Sequence, residues 1–153
     1  MKYIKYFENF GRFEIGNELY KQISDHDFWD IMENFGKVEE ITDNEIKSCT
    51  KLVENYINSP YLSIESVKKA TRWYSDSIKN VIHFSIDSER YLSDEYYIAV
   101  NKYDDEWWLI ETYLPHNQYL SGGGDYAHYI ADSTEGLENW ANNAEWQKII
   151  KNK

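Results

Sequence analysis

Apolar side chains recur at two different periods along this chain, and the period changes near its middle. In the first half Phe28, Ile31, Met32 and Phe35 follow one another at helical spacing. Ser24-Asp-His-Asp27 precedes them as a capping-box-like start and Gly36 follows as a stop. Thr42-Asp-Asn-Glu45 is a fuller capping box, with Ile46, Cys49, Val53, Tyr56 and Ile57 on one face behind it and Ser59-Pro60 ending the run. A third helix is expected from about Ser63 to Trp73, with Ile64, Val67, Ala70 and Tyr74 turned inward. Residues 3–23 are ambiguous, because Phe7, Phe10 and Phe13 fit helix spacing while the aromatic density fits extended structure.

The second half alternates with period two. Ile82, Phe84 and Ile86 predict one strand, and Tyr96, Ile98 and Val100 another. Asp104-Asp105-Glu106 reads as a hairpin turn into a return strand from Trp107 to Leu114, with either Trp107 and Leu109 or Trp108 and Ile110 facing the helices. Pro115 ends that strand, Ser121-Gly-Gly-Gly-Asp125 is a loop, and Tyr126 to Ala131 is a further short strand. Asp132 is then expected to cap a closing helix, with Glu135 at its third position and Leu137, Trp140, Ala141 and Ala144 as its apolar stripe. The pattern predicts a single α+β domain over residues 1–153: N-terminal helices, then an antiparallel β-meander with a closing C-terminal helix.

The run Tyr6-Phe-Glu-Asn-Phe10, the helix start Ile41-Thr-Asp-Asn-Glu45-Ile-Lys and the aromatic stretch ending in Ala131-Asp-Ser-Thr-Glu-Gly136-Leu resemble small, uncharacterised phage and large-DNA-virus proteins, which show a Tyr-rich meander closing on an Asp-x-x-x-Gly-Leu helix start. The resemblance implies a viral-type accessory domain and brings no activity with it.

Composition sharpens the picture in one respect. The chain has 153 residues, with 27 Asp and Glu against 16 Lys and Arg, a net charge of −11. Between Tyr103 and Gln147 there are nine acids, nine tyrosines and tryptophans, and no lysine or arginine. If the aromatics form core, the acids are driven outward onto one negative surface, since ionised carboxylates are rarely buried unpaired. Such a surface repels nucleic acid and anionic membrane and attracts a basic protein, so no nucleic-acid or membrane partner is expected. The expected partner-binding residues are Asp104, Asp105, Glu106, Trp108, Glu111, Asp125, Tyr126, Glu135 and Glu138. One cysteine, Cys49, excludes an internal disulfide framework. Met1-Lys-Tyr-Ile-Lys-Tyr has no apolar run behind it, so no signal peptide is expected, and the cytoplasm of a bacterium or host cell is the expected compartment.

Candidate chemistry is sparse. His26, His83, His116 and His128 lack metal-ligand spacing, so neither metal nor cofactor is expected. Cys49 sits on the apolar face of its helix and reads as core. Gly122-Gly-Gly124 is followed by Asp125 rather than by the Lys and Ser/Thr of a phosphate loop. Glu111 and Asp125, amid Trp107, Trp108 and Tyr113, suggest the two carboxylates and aromatic platform of a glycosidase, against the plainer reading of Glu111 as a solvated carboxylate at a sheet edge. The leading expectation is a non-catalytic protein-binding module, such as a DNA-mimicking or immunity-like inhibitor. A minor virion or assembly component and a small glycosidase-type hydrolase are the alternatives.

Overall fold

The computed structural model describes residues 2–3, 14–34, 41–70, 81–88, 96–103, 107–115 and 124–144. Phe35, Gly36, Trp73, Tyr74, Asp104, Asp105, Glu106, His116 and Ser121 lie outside the described residues.

The described elements run β1 (Lys2–Tyr3), β2 (Glu14–Ile15), β3 (Tyr20–Ile23), α1 (Asp25–Asn34), α2 (Asp43–Ile57), β4 (Leu62–Ala70), β5 (Val81–Ser88), β6 (Tyr96–Tyr103), β7 (Trp107–Leu114), β8 (Asp125–Ala131) and α3 (Thr134–Asn143). The fold is mixed α+β. Six strands form one antiparallel sheet in the order β3-β8-β7-β6-β5-β4, and β1 pairs with β2 separately.

Two cores, one on each face of the sheet, explain the buried aromatics. On one face α2 and α3 cover Ile82, Phe84, Ile98, Val100, Trp108 and Ile110. There the Tyr56 ring stacks on Trp140 at 4.3 Å, and its hydroxyl meets that of Tyr129 at 3.2 Å. On the other face Phe28, Ile31 and Met32 of α1 cover Ala99, Tyr103, Trp107, Leu109 and Ile130. Both tryptophans of β7 are therefore core, one on each face, and the strand is buried continuously from Trp107 to Thr112 instead of alternating.

Where the third helix is expected, residues Leu62–Ala70 form a strand instead. β4 pairs with β5 and carries an irregularity between Ile64 and Ser66, so Glu65 is inserted into the ladder. The inward positions become Ile64 and Val67, packed against the α2–α3 core at a spacing of three that imitates a helix.

Local chemistry sets the helix starts. Thr42 Oγ1 accepts from the Glu45 N–H at 3.2 Å, and Glu45 Oε1 accepts from the Thr42 N–H at 3.0 Å, a complete capping box. Ser24 Oγ accepts from the Asp27 N–H at 3.1 Å before α1. At α3 the cap is Ser133 rather than the expected Asp132: Ser133 Oγ accepts from the Gly136 N–H at 3.1 Å and donates to Asp132 Oδ1 at 2.7 Å. Asp132 acts one step back, by orienting the hydroxyl that caps.

Candidate functional site: an α2–α3 cleft and a polar chain beneath the opposite face

α2 and α3 pack against each other, and residues from both, together with Trp108 of β7, line one recess. Between them is a cleft of about 350 Å³, within the size range of small-ligand and side-chain pockets. Its floor is Trp108, Cys49, Leu52 and Leu137, and Lys51 and Glu138 line it from opposite helices. Lys102 reaches up from β6, pairs with Glu45 of α2, and holds its ammonium 5.6 Å from the centre of the Trp108 ring. Burial alone would raise the Glu45 carboxyl, but the Lys102 ammonium and the Thr42 N–H outweigh it and hold it below its ordinary value. Cys49 sits deeper, and burial pushes its thiol up to about 12, with the Glu45 charge adding to the rise. A thiol so protonated is a poor nucleophile.

The expected partner-binding residues do not share one surface. Trp108 and Glu138 meet at the cleft, and Glu135 is exposed one turn earlier on α3, where its charge also suits the helix N-terminus. Asp125 and Tyr126 are exposed at the far end of β8, the full length of that strand from α3. Asp104, Asp105 and Glu106 lie outside the described residues.

Glu111 corrects two expectations. It is only 2 % exposed and lies on β7, an interior strand, so it is neither part of an acidic face nor a carboxylate at a sheet edge. It is also not paired with Asp125. Glu111 stands opposite His128 in the ladder, three positions after Asp125 on β8, and side chains an odd number of positions apart point to opposite faces. The two-carboxylate arrangement of a glycosidase does not form here.

What buries Glu111 is a chain of polar partners. Its Oε1 accepts from the Tyr97 hydroxyl at 2.9 Å, and its Oε2 is 3.0 Å from His128 Nε2. His128, itself 2 % exposed, places Nδ1 2.8 Å from Asp25 Oδ1, outside hydrogen-bond alignment. The Phe28 ring lies 4.0 Å from the imidazole, so His128 meets two residues of α1 and one of β7. Sequence reasoning missed this set because Tyr97, Glu111 and His128 are 14 and 17 positions apart. Glu111, in step with Trp107 and Leu109 on one predicted strand, is the only member of the set whose sequence position hints at burial, and nothing in the sequence names its partners.

Among the described residues no group of three or more His, Cys, Asp or Glu is arranged to hold a metal ion. No helix among them is long and apolar enough to cross a membrane. Comparison of the chain with protein-family models, with curated proteins and with solved structures gives no match.

Proposed function

We propose that the protein is a non-catalytic binding module that engages a basic protein partner, in the manner of an accessory or inhibitor protein. The observation that carries this reading is the α2–α3 cleft, an apolar recess floored by Trp108 with Glu138 at its edge, on a chain of net charge −11. A partner's apolar side chain enters the recess as an anchor, and the negative field draws the partner in. Buried aromatic anchors set the dissociation rate, whereas exposed charges act on association.

Two variants separate those roles. Ser48 is exposed and lines the cleft, so Ser48→Trp fills the recess from outside the core. Glu135→Lys with Glu138→Lys reverses the nearby charge. A partner captured from the native host at low salt and measured against each variant is expected to dissociate at least roughly tenfold faster from Ser48→Trp. It is expected to associate more slowly with the charge-reversed form and to lose its salt dependence. Equal rates for wild type and both variants would remove the reading.

A further inference from the structure

α2 runs into Ser59-Pro60 and loses two backbone donors there. Pro60 has no N–H, and the Tyr61 N–H, which would continue the helix to the Ile57 carbonyl, goes to Ser59 Oγ at 3.2 Å instead. The Ile57 carbonyl therefore receives no hydrogen bond from a described residue. The last turn also holds no basic residue, so nothing within it opposes the negative end of this 15-residue helix.

A second recess, of about 400 Å³, opens at this end of α2. Its lining combines three aliphatic residues, Ile57, Leu62 and Ile64, with Glu54, Asn58 and Ser63. Glu54 is exposed in the last turn, where a carboxylate adds to the negative helix end, and it makes no ion pair with a described residue. Lys51, three positions earlier, lines the cleft instead. On β4 the exposed Glu65 follows Ile64 directly. The first base of that strand, Lys68, is four positions from Ile64, or about 13 Å at about 3.3 Å per residue.

We infer that this second recess seats a lysine side chain of the partner. The inference rests on the basic-partner reading above but not on the cleft, with which the recess shares no lining residue. The aliphatic residues cover the four-carbon stem, and the ammonium meets the Glu54 carboxylate and the negative end of α2. An ammonium carries three rotatable donors on a compact charge, which suits separate acceptors such as a carboxylate, a main-chain carbonyl and a hydroxyl. A guanidinium gains most from an aromatic face or paired carboxylates, and the lining contains no aromatic residue and one carboxylate.

The test is an NMR titration of the full chain with N-acetyl-lysine amide, its arginine counterpart and its uncharged norleucine counterpart, observing the amide signals of Ile57, Asn58 and Ser63. The lysine probe is expected to move these signals saturably at roughly millimolar concentration, the arginine probe more weakly and the norleucine probe not at all. Glu54→Gln is expected to weaken the lysine probe roughly two- to fivefold. Ser63→Trp, which fills the recess from an exposed position, is expected to abolish its binding. Norleucine matching lysine, arginine exceeding lysine, or either variant matching wild type overturns the inference. Silent signals overturn it whatever the partner measurements return, and so does partner binding indifferent to Ser63→Trp. Partner binding weakened by Ser63→Trp but unchanged by Ser48→Trp and by charge reversal on α3 upholds the lysine seat and removes the cleft reading alone.

Discussion

Glu111 and His128 face each other across β7 and β8 with 3.0 Å between Oε2 and Nε2, both almost completely withdrawn from water. A carboxylate at such depth is tolerated because both of its oxygens are engaged, one by His128 and one by Tyr97. The same imidazole reaches Asp25 at the start of α1, so one side chain couples the interior of the sheet to the helix that covers it.

Removing the imidazole should therefore cost much more than removing its outer partner. His128→Ala takes from buried Glu111 the partner at its Oε2, and the expected loss is about 3 kcal/mol in urea unfolding. Asp25→Asn is expected to cost less than about 1 kcal/mol, because the Asp25 side chain is 73 % exposed and its pairing is screened. Equal losses from the two substitutions would show that the buried pair is not what secures this region.

The Glu45 carboxyl gives a pH prediction with a definite sign. Its folded-state value lies below the ordinary one because the Lys102 ammonium and the capping N–H of Thr42 overcome the effect of burial. A carboxyl lowered on folding adds stability that is fully present above its unfolded-state value. That stability is lost as pH falls through the folded-state value, so the effect is confined to the acid side of the ordinary carboxylate range. Lys102→Met is expected to raise the Glu45 midpoint in a carboxyl NMR titration and to reduce the acid dependence of unfolding. An unchanged midpoint would assign the lowering to the cap alone.

How much was legible in the sequence follows the range over which each feature is encoded. The α2 capping box spans three positions, so Thr42 and Glu45 announce it locally. β4 was misread because the residue inserted at Glu65 turns a two-residue spacing into a three-residue one, and Ile64 and Val67 then look helical. The choice between Trp107 and Trp108 as the inward residue had no single answer, since helices cover both faces of the sheet. The placement of Glu111 was out of reach, because Tyr97 and His128 come from the neighbouring strands on either side. The cleft is likewise lined from α2, β7 and α3, segments far apart in sequence, which no local pattern records.

Cys49 offers a probe of opening at the cleft floor. Its thiol is buried and pushed up to about 12, so in the native state both access and thiolate are scarce at neutral pH. Alkylation by iodoacetamide is expected to proceed only through opening of the α2–α3 layer, and its rate should rise with denaturant together with unfolding. Labelling at the rate of a free thiol in the absence of denaturant would show that α2 and α3 separate readily.

Gly136 supplies a prediction in which two physical effects oppose each other. It occupies the first turn of α3, where Ala has the higher helix propensity by about 1 kcal/mol, so on propensity alone Gly136→Ala should stabilise. The turn at residues 16–19 lies directly against it. Leu19, held at a φ of 65°, turns its carbonyl toward α3 and accepts from the Asp132 N–H at 3.0 Å. A Cβ on Gly136 falls inside van der Waals contact with that carbonyl oxygen and 3.1 Å from Asp132 Oδ1. Backbone cannot yield as a flexible side chain does, so either the Asp132–Leu19 hydrogen bond breaks or α3 shifts off the sheet. The expected result is a net loss of about 1–3 kcal/mol, as for other overpacked sites. It also gives a physical reason for the Gly in the Asp132-x-x-x-Gly136-Leu137 start: the glycine admits a neighbouring chain. A Gly136→Ala variant more stable than wild type in chemical denaturation would mean that the turn at residues 16–19 does not rest on α3.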